Sequence, residues 1–249
     1  MHYFFKEGLP LEEGRLVELD PEDLNHAYRV LRLRTDSVVA VSDGRGRAFR
    51  GTIESIGPQG AFVRLGEPLP PAESPLRIVL LQGLAKGEKM DLIIRQAAEL
   101  GVQQIVPVAT TRSIPRLDAS REARRLERWR KVARAAAAQC RRAFIPELSP
   151  LHDFDGALAL LQGREALVPW EEERELGLAS LLWQPPAEKA VYLFIGPEGG
   201  FSPAEIAALR VAGARTFHLG PRILRTETAA AVAVSLVQAA WGDLGVGSR

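Results

Sequence analysis

The sequence predicts an α/β protein in which a small β-barrel-like domain precedes a parallel sheet flanked by helices. Short alternating segments fill residues 1–71, and prolines then cluster around a linker at 72–75. From residue 76, strand-like and helix-like segments alternate, which is typical of parallel sheets with crossover helices. The length of 249 residues is more than one domain typically uses and too little for three. We therefore expect one domain over 1–71 and a second over 76–249.

The first domain is predicted to be rich in strands. A run of small and apolar residues ends at Asp43-Gly44, a dipeptide typical of tight turns. From this alternation we expect strands at 37–42, 47–56 and 60–65. A short helix at 24–31 is expected to be capped by Asp20, ahead of Pro21.

The second domain alternates between two kinds of segment. Strands are expected at 76–82, 102–108, 165–169, 190–195 and 215–219, and the run at 191–195 is continuously apolar, as is typical of a strand buried on both faces. Helices are expected at 90–100, where apolar residues recur at helical spacing, and at 119–142 and 228–240. The segment Ser202-Pro203-Ala204-Glu205 is a capping box and predicts another helix, which Gly213 ends.

Two glycine-containing loops, at 196–200 and 219–229, follow strand-like runs of the second domain. Ligands of parallel sheets bind at the carboxyl ends of the strands, where glycines let the backbone come close to a bound molecule. Neither loop contains G-x-G-x-x-G, and Gly200 precedes Phe201-Ser202 rather than the Lys-Ser/Thr pair of a Walker motif. The pattern indicates a cofactor pocket not built for nicotinamide dinucleotides or ATP; sharp turns without a ligand are the alternative.

Positive charge is concentrated in the middle of the chain. Residues 76–150 carry 15 basic and 7 acidic side chains, although the net charge of the whole chain is +1. Within 121–142, the spacing of Arg121, Arg124, Arg125 and Arg128 places them on one helix face. This excess favours contact with phosphates over a merely solvated face, so we expect RNA as a partner. A second cluster, for which scattered surface arginines are the alternative, comprises Arg29, Arg32, Arg34, Arg45, Arg47 and Arg50.

Several kinds of site are not expected. The single cysteine, Cys140, excludes an internal disulfide and a cysteine-cluster zinc site. The four histidines share no spacing, so we expect structural roles for them and no metal. The longest uncharged stretch considered, 228–242, has 15 residues, fewer than the ~18 that a membrane helix needs. Because the first residues also lack a signal-peptide pattern, we expect a cytoplasmic protein without a membrane partner.

Short motifs spread over most of the chain resemble those of a known family. They lie at 86–91, 99–102, 111–113, 139–142, 145–146, 195–201, 219–220 and 223–229. The chain resembles the bacterial 16S ribosomal RNA uridine-N3 methyltransferases of the SPOUT superfamily, apart from Cys140, where a serine or similarly small residue is expected. The resemblance implies a PUA-like RNA-binding domain at 1–71 and an α/β domain with a C-terminal trefoil knot at 76–249. It also implies a homodimer that binds S-adenosyl-L-methionine and acts on 16S rRNA or the small ribosomal subunit particle.

We predict the site residues from the glycine loops, the basic clusters and the resemblance. The expected cofactor contacts are Ile195, Gly196, Pro197, Glu198, Gly199, Leu219, Gly220, Ile223, Leu224, Arg225, Thr228, Ala229 and Trp170. The stretch Val168-Pro169-Trp170-Glu171, at the end of another strand, is expected as a third wall. The expected RNA contacts are Arg29, Arg32, Arg34, Lys86, Lys89, Arg112, Arg124, Arg128, Arg141 and Arg142.

Methylation at N3 of uridine requires loss of the ring N–H proton and in-line attack on a sulfonium methyl group, so alignment contributes much of the rate. Arg225 is expected to stabilise negative charge on the uracil oxygens. Glu198 or Glu227 is considered as the base, although Glu198 also suits an anchor near the helix that follows Ser202. Two other functions stay open: a non-catalytic RNA-binding or ribosome-assembly protein, and a knotted methyltransferase acting on another RNA position.

Overall fold

The computed structural model describes residues 1–70, 73–113, 119–181 and 185–245. The chain forms two compact units. Unit 1 comprises Met1–Glu73 and Arg134–Ile145, and unit 2 comprises Ser74–Ala133 and Pro146–Arg249. The boundary after Glu73 lies inside the predicted linker at 72–75, of which residue 72 is outside the described residues.

Unit 1 is built on a five-stranded sheet. Its strands are β1 (His2–Phe5), β2 (Leu16–Glu18), β3 (Val38–Ser42), β4 (Ala48–Gly57) and β5 (Gly60–Pro68). They lie in the order β1-β3-β4-β5-β2, with β1 parallel to β3 and the other pairs antiparallel. Burial alternates along the first part of β5, as expected for a sheet with one face on a core. The predicted strands at 37–42, 47–56 and 60–65 correspond to β3, β4 and β5.

The helix predicted at 24–31 takes a different form. Helix α1 (Pro21–Asn25) is followed directly by a π-helical turn, His26–Val30. Asp20 is the N-cap residue, but its side chain makes no capping hydrogen bond. The Asp20 carboxylate accepts from Lys6 Nζ instead, so Asp20 holds the predicted N-cap position without a side-chain cap.

Residues 134–145 pack into unit 1, whereas the sequence pattern places them in the second domain. Arg134 donates to Asp23 Oδ2 at 2.8 Å and to the Phe5 carbonyl at 3.0 Å. The Ser42 hydroxyl donates to the carbonyl of Ala143 at 2.6 Å. These hydrogen bonds join segments that are far apart in the chain, which local patterns do not reveal.

Unit 2 is a parallel sheet flanked by helices, which is the predicted fold class. Its strands are β6 (Arg77–Gly83), β7 (Gln104–Ala109), β8 (Glu147–Leu148), β9 (His152–Asp153), β10 (Ala166–Pro169), β11 (Ala190–Ile195) and β12 (Arg215–Phe217). Its helices are α2 (Lys89–Glu99), α3 (Ala119–Gln139), α4 (Phe154–Leu161), α5 (Leu178–Leu181), α6 (Pro203–Val211) and α7 (Thr226–Trp241). The end of α3, from Arg134 onward, belongs to unit 1.

The strand order of unit 2 places three carboxyl ends together. The order is β12-β10-β11-β6-β7-β8, with β9 beside β7, and the paired strands are parallel. Because β12, β10 and β11 are neighbours, the loops that follow them meet at one edge of the sheet. The trefoil knot implied by the resemblance stays a prediction.

Local sequence explains most of these elements. After Arg77 every residue of β6 is buried, which matches the apolar run at 78–81. Helix α6 begins with the predicted capping box: Ser202 accepts from the Glu205 N–H, and Glu205 accepts from the Ser202 N–H. The strands β8 and β9 were not predicted, because two-residue strands are too short to carry a hydrophobic period.

Candidate active site

A cavity of about 500 Å³ lies at the carboxyl ends of β10, β11 and β12. Residues from three segments of unit 2 line it: the wall segment (169–177), the first glycine loop (195–201) and the second glycine loop (218–226). Lys89 and Ala229 complete the lining. The volume is that of a small-molecule site, and the position is where parallel sheets bind their ligands.

Most residues predicted to contact a cofactor come together around this cavity. They are Trp170, Ile195, Gly196, Pro197, Glu198, Leu219, Gly220, Ile223, Leu224, Arg225 and Ala229. Gly199 and Thr228 are not among the lining residues. Gly199 packs against Arg112 instead, and its carbonyl accepts from Arg112 Nη1 at 2.9 Å. Thr228 is exposed on the first turn of α7.

Other lining residues are absent from the predicted cofactor contacts. They are Lys89, Pro169, Glu171, Arg174, Gly200, Phe201, His218, Pro221, Arg222 and Thr226, of which Pro169 and Glu171 belong to the stretch expected as a third wall. Adjacency to a glycine motif is the signal that could have found Gly200, His218 and Thr226. No local signal marks Arg174, because the strand order of the sheet brings the wall segment to the cavity.

The end of β6 packs closely against the backbone of the first glycine loop. A Cβ atom at Gly83, the last residue of β6, would lie 2.6 Å from both the nitrogen and Cδ of Pro197. Gln82, fully buried, donates from Nε2 to the Thr226 hydroxyl at 3.0 Å, and that hydroxyl donates to the Gly196 carbonyl at 2.6 Å. The end of β6 therefore positions both the first glycine loop and the start of α7.

Glu198 connects the first glycine loop to the start of α2. Its Oε1 accepts from the Lys86 N–H at 2.9 Å and lies 3.2 Å from Lys89 Nζ. Burial raises the pKa of Glu198, but the backbone hydrogen bonds from Lys86 and from its own N–H, with Lys89 beside it, hold that pKa below its usual value. A lowered pKa makes a carboxylate a weaker base, so this geometry favours an anchoring role.

The other two charged groups considered for catalysis differ in position. Arg225 is exposed, lines the cavity and immediately precedes the first turn of α7. Glu227 is absent from the lining, its side chain is 13% exposed, and its Oε2 lies 3.8 Å from Lys89 Nζ. Of the three, Arg225 is placed best to meet a charge that develops inside the cavity.

In unit 1 the predicted RNA contacts divide between the surface and the interior. Arg29, Arg32, Arg34 and Arg141 are exposed. Arg142 is only 5% exposed, and its Nη2 donates to Glu73 Oε2 at 2.7 Å. The assignment of Arg142 to an RNA surface is therefore corrected: its guanidinium is used inside unit 1.

In unit 2 the predicted RNA contacts lie mainly on the surface. Lys86, Arg112, Arg124 and Arg128 are exposed, whereas Lys89 is partly buried at the cavity. Arg128 also forms an ion pair with Asp91 of α2. Arg124 is the clearest representative of the basic face of α3.

The wall segment is held by the buried carboxylate of Glu173, which is 8% exposed. Its Oε1 accepts from the N–H groups of Arg174 and Glu175, both at 3.0 Å. Its Oε2 accepts from the Thr216 hydroxyl of β12 at 2.6 Å. The hydrogen bond from Thr216, then that from Glu175, lowers the pKa of Glu173 from its usual 4.5 to about 2, although burial opposes the shift.

The depressed pKa of Glu173 predicts acid-sensitive stability. A carboxylate whose pKa is lower in the folded chain stabilises the fold above its unfolded pKa, here 4.5, and loses that contribution as pH falls toward about 2. We expect Glu173→Gln to unfold at lower urea concentration than the wild type at pH 7. The gap should narrow between about pH 4.5 and 2; a gap independent of pH would contradict the assignment.

Neither a membrane-spanning helix nor a metal-binding group occurs among residues 1–70, 73–113, 119–181 and 185–245. No helix within them is long and apolar enough to cross a membrane. Their His, Cys, Asp and Glu side chains form no group of three or more that could hold a metal ion.

Comparison with family models supports two domains of known type. Residues 72–238 match the model of an RNA methyltransferase domain. Residues 19–66 match the model of an RNA methyltransferase PUA domain. These matches agree with the fold class expected from the sequence.

Individual relatives match over almost the whole chain. A Mycobacterium bovis protein named ribosomal RNA small subunit methyltransferase E is 36% identical, and the alignment covers 94% of this chain and 90% of the relative. The crystal structure of a Neisseria gonorrhoeae protein of that name, bound to S-adenosyl methionine, matches with a TM-score of 0.90 and 31% identity. The match covers 98% of this chain and 99% of the Neisseria chain. The structure of a putative Legionella pneumophila methyltransferase in complex with the bound cofactor SAM matches with a TM-score of 0.83 and 35% identity. The match covers 97% of this chain and 98% of the Legionella chain.

Proposed function

The chain belongs to the RNA methyltransferase family that includes the proteins named ribosomal RNA small subunit methyltransferase E, and from this premise we propose its reaction. It transfers a methyl group from S-adenosylmethionine to N3 of a specific uridine in 16S ribosomal RNA. The observation that carries the proposal is the cavity formed by two glycine loops at the carboxyl ends of adjacent parallel strands. Cofactor-bound relatives of the same fold, at TM-scores of 0.90 and 0.83, support the choice of cofactor.

The residues around the cavity fit S-adenosylmethionine. Gly196 and Gly220 let the backbone of the two loops approach a nucleoside, so peptide N–H and C=O groups can bind its polar edges. Leu219, Leu224 and Trp170 offer apolar surface for a flat base. The Glu171 carboxylate also lines the cavity and complements a positively charged ligand.

Arg225 is the proposed catalytic residue. Bound S-adenosylmethionine supplies an electrophilic methyl group. A cation beside the uracil oxygens favours release of the N3 proton to solvent, and the deprotonated N3 is a much better nucleophile than the neutral imide nitrogen. Glu198 is assigned to loop anchoring, because its carboxylate is hydrogen-bonded to Lys86 and lies beside Lys89. Since N3 lies on the Watson–Crick edge, the target uridine must be unpaired or turned out of its helix.

Exposed arginines of each unit are the proposed contacts for the RNA backbone. Arg29, Arg32 and Arg34 are exposed on unit 1, and Arg124 is exposed on the α3 portion of unit 2. Each cation that neutralises a phosphate releases counterions, which makes binding sensitive to salt. The RNA methyltransferase PUA match over residues 19–66 supports an RNA-binding role for unit 1.

We expect Arg124→Glu to weaken RNA binding and to flatten its dependence on salt. Loss of one phosphate contact reduces the slope of log affinity against log salt by about 0.7–0.9. The measurement is a filter-binding titration with small-subunit RNA from 50 to 200 mM salt. Arg164→Glu, at an exposed arginine paired with Glu188, changes the net charge equally and is the control. Equal slopes for the two variants would mean that Arg124 acts only through net charge.

The proposed active form is a homodimer in the cytoplasm, acting on the RNA or on the small-subunit particle, as the resemblance implies. The purified protein should elute from size exclusion with a light-scattering mass of twice 27.2 kDa. A mass of 27.2 kDa at micromolar concentration would contradict the dimer.

The rival function is a non-catalytic RNA-binding or ribosome-assembly protein. It accounts for the basic surface but gives the cavity and its glycine loops no ligand. Equilibrium dialysis against labelled S-adenosylmethionine, followed by a search for label in added small-subunit RNA, separates the two functions. Saturable binding with label transferred to RNA supports the enzyme, and neither binding nor transfer supports the rival.

A further inference from the structure

The Glu173 carboxylate connects the wall segment to elements that adjoin both glycine loops. Thr216, which donates to it, lies in β12, two residues before the second glycine loop begins at 218. Arg210, in α6 beyond the first glycine loop, donates from Nη2 to Glu173 Oε2 at 2.9 Å. One buried anion therefore touches elements that adjoin all three segments around the cavity.

Arg210 reinforces this connection. Its Nη2 also donates to the Thr216 hydroxyl at 2.8 Å, so the arginine, the threonine and Glu173 form a closed set of contacts. The Arg210 guanidinium lies 5.1 Å from the ring centroid of Trp170, a lining residue. The cation thereby orients one cavity wall while it neutralises the carboxylate.

The wall segment depends on such contacts because residues 170–177 contain no helix and no extended strand. The N–H groups of Arg174 and Glu175 are bound by Glu173 instead of by a regular ladder. At the far end, the Leu176 carbonyl accepts from the His218 N–H at 2.8 Å. Backbone hydrogen bonds thus tie both ends of the segment, since the Trp170 N–H also donates to the Phe217 carbonyl at 2.9 Å. Between these ends, the Glu173 side chain supplies the attachment.

We propose that Glu173 is a positioning residue for the cofactor cavity, whose carboxylate holds Trp170, Glu171 and Arg174 in place as its third wall. The inference rests on the proposed function in so far as the ligand of the cavity is S-adenosylmethionine. Glu173 itself is absent from the cavity lining, so it acts through the residues that it fixes. Replacing a carboxylate that accepts four hydrogen bonds leaves its donors, among them the buried Thr216 hydroxyl, poorly satisfied, which releases the segment.

The test compares Glu173→Gln with the control variant Glu165→Gln. The control removes another carboxylate–arginine pair of the same sheet, formed by Glu165 and Arg215, and neither residue lines the cavity. The first readout is hydrogen exchange without cofactor. In Glu173→Gln the amides of Arg174 and Glu175 should exchange at least about tenfold faster, while β11 amides keep wild-type protection. The second readout is calorimetry, in which S-adenosylmethionine should bind Glu173→Gln about tenfold or more weakly. Glu165→Gln should match the wild type in both readouts.

Thr216→Val, a milder change that removes one of the four donors and keeps the side-chain shape, serves if Glu173→Gln does not fold. It should reproduce a smaller part of both effects. Where Glu173→Gln folds, the effects in the double variant should be less than additive. Wild-type hydrogen exchange at the Arg174 and Glu175 amides in the folded variants would overturn the inference. Fast exchange at these amides together with wild-type affinity for S-adenosylmethionine would also overturn it. If the wild type itself binds no S-adenosylmethionine, the proposed function fails, and the exchange readout still decides whether Glu173 holds the wall.

Discussion

Arg225→Ala should lower the single-turnover rate of methyl transfer about a hundredfold or more and leave the affinities for S-adenosylmethionine and RNA close to wild type. Arg225 lines the cavity and is exposed, so its charge is available to uracil oxygens as N3 loses its proton. Loss of a preorganised group that stabilises developing charge typically costs ~3–4 kcal/mol in the barrier. An effect on rate without an effect on affinity identifies an interaction made mainly in the transition state.

The assay uses saturating enzyme and cofactor, and it is repeated across pH. Higher pH should partly restore the variant, because more uridine is then deprotonated without help from the arginine. Arg164→Ala, which removes a surface charge of unit 2 outside the cavity, should behave as the wild type. A wild-type rate for Arg225→Ala would remove it from the chemistry, and loss of cofactor binding alone would make it part of the pocket wall.

Gly220→Val should reduce the affinity for S-adenosylmethionine by about a hundredfold in a folded protein. Gly220 has φ +100°, a region that a branched residue enters only with strain of about 1–3 kcal/mol. Its N–H donates to His218 Nδ1 at 3.1 Å, so relief of the strain would move the second glycine loop. A side chain there would also point into open space at the cavity, where the ligand is expected.

Gly213→Val is the matched control for backbone strain. Gly213 follows α6 with φ +92°, its Cβ would also meet open space, and it is not part of the cavity lining. Both variants should lose similar thermal stability, but Gly213→Val should keep wild-type affinity for S-adenosylmethionine in calorimetry. Equal affinities for the two variants would show that the second glycine loop does not contact the cofactor.

The strands and loops around the cavity could be predicted because their signals are local. β11 is a continuous apolar run that ends at a glycine, and its bounds, Ala190–Ile195, are those expected from the sequence. The capping box of α6 depends on Ser202 and Glu205, three residues apart, so it too is visible in the sequence.

Contacts between distant segments could not be predicted in the same way. Glu171, Glu172 and Glu173 are adjacent and chemically identical, yet Glu173 alone among them is buried, because Thr216 and Arg210 approach it from other elements. Gly83 is important because Pro197 packs against it, and nothing in its own neighbourhood shows that contact.

Two neighbouring arginines show that the burial of individual basic residues could not be predicted either. Arg141 is exposed, while Arg142 is buried against Glu73, a partner 69 residues away in the chain. Charge counting treats the two residues alike, because net charge describes a segment and burial depends on the fold. The basic composition therefore predicts a class of partner better than it predicts individual contacts.

The most direct test of the central claim is the identity of the nucleoside that the enzyme makes. Small-subunit RNA and particles from a strain lacking the gene are incubated with the purified protein and S-adenosylmethionine, digested to nucleosides and analysed by chromatography with mass spectrometry. We expect 3-methyluridine to appear at a single position, only with active protein and cofactor, and to form much more slowly with Arg225→Ala. Methylation on a ribose or on another base, or no methylation of either substrate, would contradict this expectation.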